Sequence, residues 1–151
     1  MFDATVSRST YAGLQIVTDR RTQIRDVIVI QLGTNDGAIP GPYGDRGRQI
    51  MVRLQGIPLV VWLTIRQARS YYAGTNREMR LIVSAFPNAA VADWNAAAPA
   101  AGVYSDGLHL RPLGAEAMAG LADGLLQSWH DMAANRGGGA CQPAIDQAVG
   151  G

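Results

Sequence analysis

The sequence predicts an α/β fold in which helices cover both faces of a parallel β-sheet. Segments of strand length, residues 2–6, 26–32, 57–65 and 89–93, alternate with segments of helical periodicity. The runs at 26–32 and 57–65 are almost continuously apolar, as expected for strands buried on both faces. Because such sheets bind ligands beyond the carboxyl ends of their strands, the polar residues that follow these runs are the candidate site.

Length and composition indicate a single domain. The chain has 151 residues, of which 48% are hydrophobic, and this is enough for one sizeable core. We expect the domain to span residues 2–130. The remainder, 131–151, contains three consecutive glycines among polar residues and alanines, and we expect it to form a flexible tail.

Charge, apolar runs and cysteine content exclude several functional classes. The net charge is +1 and the basic residues are scattered, so the sequence predicts no nucleic-acid partner. The longest apolar runs are far shorter than the ~20 residues that span a bilayer. The single cysteine, Cys141, leaves no internal disulfide, and the two histidines and the dispersed acids lack metal-ligand spacing. We therefore expect no metal and no cofactor.

Capping residues predict the ends of the first two helices. Ser9 or Thr10 can cap a helix that runs toward residue 19. The turn formers at 37–44 predict a loop, and a second helix is expected at 45–55. Gly56, directly after it, is the residue expected at a helix C-terminus.

Two further helices follow in the second half of the chain. Asn76 fits the N-cap of a helix that covers residues 79–86, and Pro112 fits the first turn of the last helix. Apolar residues that recur every four positions predict the face of the last helix that packs on the sheet: Leu113, Ala117, Leu121, Leu125 and Trp129.

Two side chains near the strand ends have alternative interpretations. Arg66 follows the run at 57–65, where its planar guanidinium fits either a substrate carboxylate or phosphate, or a surface ion pair. Trp94 fits either a ligand contact or the core, and we expect it to pack in the core beneath the loop that carries His109.

The segment Asp106-Gly107-Leu108-His109 sets a carboxylate three residues before a histidine, where a loop meets the last helix. An Asp106 oxygen that accepts the Nδ1 proton of His109 would leave Nε2 free to take a proton from a hydroxyl. The alternative interpretation is a turn carboxylate beside an ordinary boundary histidine.

The segment Gly33-Thr34-Asn35-Asp36 ends the apolar run at 26–32. It places the side chain of Asn35 beyond the carboxyl end of a buried strand, which is where ligands of such sheets bind. The alternative interpretation is turn chemistry, in which the Asn and Asp side chains bond only to local backbone.

Together, the two motifs resemble the SGNH (GDSL-like) family of ester hydrolases and O-acyltransferases over residues 2–130. The chain is most similar to the SGNH domains of integral-membrane acyltransferases that modify cell-surface glycans. The resemblance implies a flavodoxin-like three-layer α/β/α fold. It also implies roles: Asp106 and His109 as acid and base of a triad, and Asn35, Gly33 and Ser7 as the oxyanion hole.

One family motif is absent from the chain. No Gly-Asp-Ser occurs, although that motif supplies the family's nucleophilic serine. Residues 2–6 resemble the family's second strand, and Ser7 takes the place of an oxyanion-hole glycine. In the strand order 2-1-3-4-5, the absent first strand lies between strands two and three. We therefore expect either that residues 2–6 pair directly with 27–32, or that both segments present unpaired edges.

The chain contains six serines that are candidates for a substitute nucleophile: Ser7, Ser9, Ser70, Ser84, Ser105 and Ser128. Only Ser7 and Ser9 are expected at strand ends that face the site. Because serines at such positions usually cap the following helix, we do not expect either to act as the nucleophile.

The sequence thus predicts a serine esterase or O-acyltransferase domain that acts on acyl esters, such as acetyl esters, of carbohydrate or cell-envelope glycan. Without its serine, the chain is either a truncated part of a longer protein, such as a membrane acyltransferase, or a non-catalytic pseudoenzyme. The pseudoenzyme would bind an acylated glycan or a partner protein. A nucleotide-binding domain lacks support, because neither G-x-G-x-x-G nor a phosphate-binding lysine loop occurs. Localisation is not predicted, although relatives are often extracytoplasmic.

Overall fold

The computed structural model describes residues 3–37, 40–98 and 103–135. Within these ranges the elements, in chain order, are α1 (Thr10–Asp19), a 3-10 helix (Arg21–Gln23), β1 (Val27–Ile30), α2 (Pro40–Arg53), β2 (Leu59–Leu63), α3 (Tyr72–Ser84), β3 (Ala89–Ala92), α4 (Trp94–Ala97) and α5 (Pro112–Asn135). The three strands form one parallel sheet in the order β1-β2-β3. The predicted α/β class is therefore confirmed.

Helices cover both faces of the sheet. Every residue of β2, the central strand, is buried, and successive side chains point to opposite faces. On one face, Val60 and Trp62 pack in a core formed with α1, α2 and α3. On the other face, Val61 and Leu63 pack beneath Trp94 and α5. The arrangement is three layers, α/β/α.

The first helix begins as predicted, and the second ends at Arg53, two residues before its predicted end. Ser9 is the N-cap of α1, and its Oγ accepts a hydrogen bond from the backbone N–H of Ala12 at 3.4 Å. Gly56 adopts a φ of +82° just beyond α2, a left-handed conformation that favours glycine.

The predicted opening strand is not formed. Residues 3–5 have no regular structure, residues 6 and 7 form a turn, and Phe2 lies outside the described residues. The Asp3 carboxylate is held by the guanidinium groups of Arg8 and Arg20, and these ion pairs close the segment on itself. As a result, nothing in the described part of the chain pairs with the outer edge of β1. Val29, in the middle of that strand, is 40% exposed.

Two predicted helix starts were wrong. The turn formers at 37–44 do not all form a loop, because α2 already begins at Pro40, and proline is well suited to a first helical turn. The third helix begins at Tyr72, four positions before the predicted cap, Asn76. Asn76 is buried inside α3 because its amide pairs with the backbone of Ile65, as described below.

The last helix packs as predicted over most of its length. Ala117, Leu121, Leu125 and Trp129 contact the second core, whereas Leu113 is 59% exposed and does not. The helix continues to Asn135, beyond the expected domain end at 130. Residues 136–151, which include Cys141 and most of the predicted tail, lie outside the described residues.

Candidate functional site

Residues 104–110 form a small closed loop, which we call the dyad loop. Tyr104 and Leu110 pair as an antiparallel bridge at its base. Inside it, the backbone N–H of Ser105 donates to the carbonyl of His109 at 2.9 Å. Gly107 has a φ of +84°, which lets the chain reverse between Asp106 and His109.

Asp106 holds His109 by both backbone and side chain. Its Oδ1 accepts from the backbone N–H groups of Leu108 at 3.1 Å and His109 at 2.8 Å. Its Oδ2 lies 2.7 Å from Nδ1 of the His109 ring. Hydrogen bonds from the His109 backbone, the His109 ring and the Leu108 backbone hold the pKa of Asp106 far below its usual range. The carboxylate is thus charged at neutral pH. It contacts Nδ1 of the His109 ring and not Nε2.

The His109 ring is open to solvent. Its side chain is 74% exposed, and that of Asp106 is 55% exposed. The dyad therefore stands at the surface of the described part of the chain, where a reacting hydroxyl can approach Nε2.

The second group of predicted site residues lies on the loop after β1, residues 33–37, which we call the β1 loop. Gly33 has a φ of +121° and is buried, and a Cβ at this position would lie 2.9 Å from Thr75 Cγ2 and 3.0 Å from Tyr43 Cε2. Only glycine fits this close approach without a shift of its neighbours. The hydroxyl of Tyr72 donates to the carbonyl of Thr34 at 3.2 Å and joins the β1 loop to α3.

Asn35 brings the β1 loop to the turn that contains Ser7. The Asn35 side-chain amide donates to the carbonyl of Arg8 at 3.3 Å. Ser7, the preceding residue, has a φ of +60° and is the only residue other than glycine in the described ranges with a positive φ. This left-handed conformation costs an L-residue about 1–2 kcal/mol. Ser7 was predicted to replace an oxyanion-hole glycine, and its backbone has a conformation that favours glycine.

Asp36 fixes the β1 loop to the start of α1, a role that sequence reasoning missed. Its carboxylate is 2% exposed and accepts from Thr10, from the backbone N–H at 2.9 Å and from the hydroxyl at 2.6 Å. The Arg46 guanidinium forms an ion pair with this carboxylate, with 3.6 Å between a guanidinium nitrogen and Asp36 Oδ1. Asp36 and Thr10 are 26 residues apart in the sequence, so no local sequence pattern predicts their contact.

Asn76 and Asp93 fix the carboxyl ends of the other two strands. The Asn76 amide accepts from the N–H of Ile65 at 2.9 Å and donates to its carbonyl at 2.7 Å, as a neighbouring strand would. Asp93 Oδ1 accepts from the hydroxyl of Thr64 at 2.9 Å, and its Oδ2 pairs with Arg80 at 2.6 Å. Burial alone would raise the pKa of Asp93, but hydrogen bonds from Thr64, Arg80 and Ala96 outweigh it and hold the pKa below its usual value.

Asn35 and the base of the dyad loop lie toward the same end of the sheet. Asn35 follows β1 and Arg66 follows β2, and these parallel strands end at the same edge. The guanidinium carbon of Arg66 lies 4.1 Å from the ring centroid of Tyr104, at the base of the dyad loop. Trp94, directly after β3, is buried with its ring 6.4 Å from that of Tyr104, as the packing prediction required.

Four of the six serine hydroxyls are hydrogen-bonded to backbone groups. The hydroxyls of Ser84, Ser105 and Ser128 donate to backbone carbonyls, and that of Ser9 caps α1. Among the described residues, which include all six serines, no serine hydroxyl is hydrogen-bonded to the His109 ring.

Comparison with solved structures identifies the architecture. The chain is similar to the C-terminal catalytic domain of the peptidoglycan O-acetyltransferase OatA of Streptococcus pneumoniae, an SGNH-type domain solved with a methylsulfonyl adduct. The TM-score is 0.70 at 23% sequence identity, over 85% of this chain and 80% of that one. The chain has an SGNH-like fold. No family model and no curated protein matches the sequence.

Two features of the described residues concern ligands and membranes. No cluster of three or more histidine, cysteine or acidic residues in the described ranges is arranged to hold a metal ion. None of the helices described is both long enough and apolar enough to span a bilayer.

Proposed function

We propose that this chain is part of an SGNH-type serine esterase or O-acyltransferase that acts on acyl esters of cell-envelope glycan. The observation that carries the proposal is the 2.7 Å contact between Asp106 Oδ2 and His109 Nδ1. It occurs in a fold shared with a peptidoglycan O-acetyltransferase domain, toward the strand ends where Asn35 also lies.

In the proposed reaction, a serine hydroxyl attacks the ester carbonyl carbon while His109 Nε2 takes its proton. Asp106 orients the ring and stabilises the imidazolium that forms. The negative oxygen of the tetrahedral intermediate accepts hydrogen bonds from the Asn35 side-chain amide and from the backbone N–H groups of Gly33 and Ser7. Each such donor contributes about 3 kcal/mol to transition-state stabilisation in serine hydrolases.

The bond to the leaving alcohol then breaks, and His109 returns its proton to the leaving oxygen. The acyl-serine is resolved by a second attack on the same carbonyl, with His109 again accepting the proton. Water as the attacking group gives hydrolysis, and a glycan hydroxyl gives transfer. The regenerated serine recovers its proton from His109.

The nucleophile in this proposal comes from outside the residues described above. No serine hydroxyl is hydrogen-bonded to the His109 ring, and the outer edge of β1 is unpaired within the described residues. A strand that paired in parallel with β1 would bring the loop at its carboxyl end beside Asn35. This geometry supports a serine delivered by another segment of a longer protein, and a membrane acyltransferase that carries this domain is one such protein.

A non-catalytic binder is the second candidate function. It is favoured by the same observation, namely that the exposed His109 ring has no serine partner among the described residues. In that case the β1 loop and the dyad loop would bind an acylated glycan or a partner protein without turning over an ester.

A fluorophosphonate probe, which labels activated serines, distinguishes the two functions. The chain as given is compared with a version extended upstream in its gene to include any Gly-Asp-Ser segment. We expect covalent labelling of the extended version at the added serine and none of the chain as given, with intact-mass and peptide mass spectrometry as the readout.

Two other labelling results would lead to different conclusions about the nucleophile and the function. Labelling of the chain as given at Ser7 or Ser9 would show that catalysis needs no added segment. An extended version that folds, as judged by circular dichroism, but is not labelled would end the enzyme proposal and favour the binder.

A further inference from the structure

The backbone around Arg66 is held in place on both sides. Asn76 pairs with the N–H and carbonyl of Ile65, the residue before it. The N–H of Gln67, the residue after it, donates to Asn95 Oδ1 at 2.8 Å. The backbone from which the Arg66 side chain extends is therefore fixed at the carboxyl end of β2.

The Arg66 side chain is fixed as well. Its guanidinium stacks on the Tyr104 ring with 4.1 Å between the guanidinium carbon and the ring centroid. Tyr104 and Leu110 close the dyad loop, so Arg66 rests on the base of the loop that carries Asp106 and His109. A guanidinium stacked on an aromatic face keeps the N–H donors at its edge available.

Arg66 differs from the arginines that form ion pairs elsewhere in the protein. In the described part of the chain, ion pairs with carboxylates are made by Arg8, Arg20, Arg46, Arg48 and Arg80. Arg66 forms none with any described residue, and its guanidinium lies against Tyr104, whose pKa burial raises and the guanidinium lowers by a smaller amount. The surface ion pair that the sequence allowed is thus absent among these residues, while the alternative, an anion on a ligand, fits the geometry.

We propose that Arg66 binds a carboxylate of the glycan beside the reacting ester, so that the site selects acidic sugars over neutral ones. This inference rests on the proposed function for its ligand class. The stacked guanidinium offers two parallel N–H donors, which match the two oxygens of a carboxylate.

The test measures binding and does not depend on turnover. The isotope-labelled chain is titrated by NMR with N-acetylmuramic acid and with its methyl ester, two sugars that differ only in the carboxylate. We expect the acid to bind about tenfold more tightly, as one charge-assisted pair allows. In Arg66→Gln the two Kd values become equal, because the Kd of the acid rises to that of the ester.

Two further variants separate anion binding from a structural role. Arg66→Lys retains the charge but not the planar pair of donors, so an intermediate preference is expected. Arg77→Gln, which removes an exposed arginine on α3, is the matched control and should retain the full preference. Equal weakening of acid and ester in Arg66→Gln would show that Arg66 only supports the dyad loop and would overturn the inference. A wild-type chain without preference would overturn it too.

Failure of this inference is distinct from failure of the proposed function. A protein whose extended form is labelled by fluorophosphonate, but which binds acid and ester equally, loses only the assignment of Arg66. A protein that prefers the acid through Arg66, but is never labelled, retains this site as a binder of acidic glycans.

Discussion

The dyad loop and the β1 loop hold their predicted site residues in different ways. In the dyad loop, Asp106 and His109 are three residues apart, their contacts are local, and both side chains are more than half exposed. In the β1 loop, the contacts of Asn35 and Asp36 reach 27 and 26 residues along the chain, and the Asp36 carboxylate is buried. The contacts between Asp106 and His109 are thus made within the loop itself, whereas the β1 loop depends on contacts with α1, α2 and α3.

Mutations in the dyad loop and in the β1 loop should therefore have different effects. Changes in the dyad loop should alter chemistry with little effect on folding, because few buried contacts are lost. Changes in the β1 loop should alter folding first, because they break buried bonds between elements.

The largest expected effect is on activity, in the dyad loop. In the form that fluorophosphonate labels, His109→Ala should lower ester turnover by about 10⁶-fold, because the general base is lost. Its melting temperature should stay within a degree or two of the parent's. His130→Ala is the matched control, since this ring is 73% exposed and its nearest acid, Asp131, lies 3.8 Å away. Equal losses of turnover in the two variants would contradict the role of His109.

The next largest effect is on stability, in the β1 loop. Asp36→Ala removes the acceptor of two hydrogen bonds from Thr10 and leaves the cation Arg46 without it. We expect a decrease of about 3 kcal/mol in the free energy of unfolding, measured with urea. Asp45→Ala, at an acid that is 79% exposed, should change it by less than about 0.5 kcal/mol. If the two variants were equally stable, the β1 loop would not depend on this contact.

A smaller effect of opposite sign is expected beside the β1 loop. Ser7→Gly should raise the free energy of unfolding by about 0.5–1 kcal/mol, because glycine adopts the positive φ without strain but costs more chain entropy. Ser9→Gly removes the cap of α1 and should lower it by a few tenths of a kcal/mol. Destabilisation by Ser7→Gly would mean that its hydroxyl outweighs the backbone strain.

The smallest effect is the pH dependence of the dyad loop. The pKa of Asp106 is lower in the folded chain, so its charge stabilises the fold above the unfolded value, about 3.9, and this contribution is lost on further acidification. The difference in melting temperature between the wild type and Asp106→Asn should therefore be greatest near neutral pH and should shrink below about pH 4. A difference that grew with acid would contradict the lowered pKa.

Part of the structure followed from local chemistry and was predicted. Ser9 caps α1 and Gly56 follows α2 in a left-handed conformation, because each acts on backbone groups within a few residues. The contact between Asp106 and His109 is likewise made between residues close in the sequence, and it was predicted. The alternation of apolar and helical segments predicted a parallel sheet between two helical layers, and of its four predicted strands the three at 26–32, 57–65 and 89–93 form.

Predictions that depended on a distant partner were wrong or incomplete. Residues 3–6 have strand-like composition, but Asp3 pairs with Arg8 and Arg20 and no strand forms. Asn76 has a cap-forming side chain, but the carboxyl end of β2 uses its amide instead. In both cases a side-chain contact elsewhere in the fold, and not the local propensity, decided the outcome.

By itself, the sequence determined the order of the three strands that form and of helices α1, α2, α3 and α5, and the hydrogen bond between Asp106 and His109, since these depend on periodicity and on neighbours along the chain. Only the tertiary structure decided the left-handed Ser7, the bond from Thr10 to Asp36 and the stacking of Arg66 on Tyr104. The reason is physical: such contacts join segments that are remote in sequence, and their energy is realised only when the packed core brings them together.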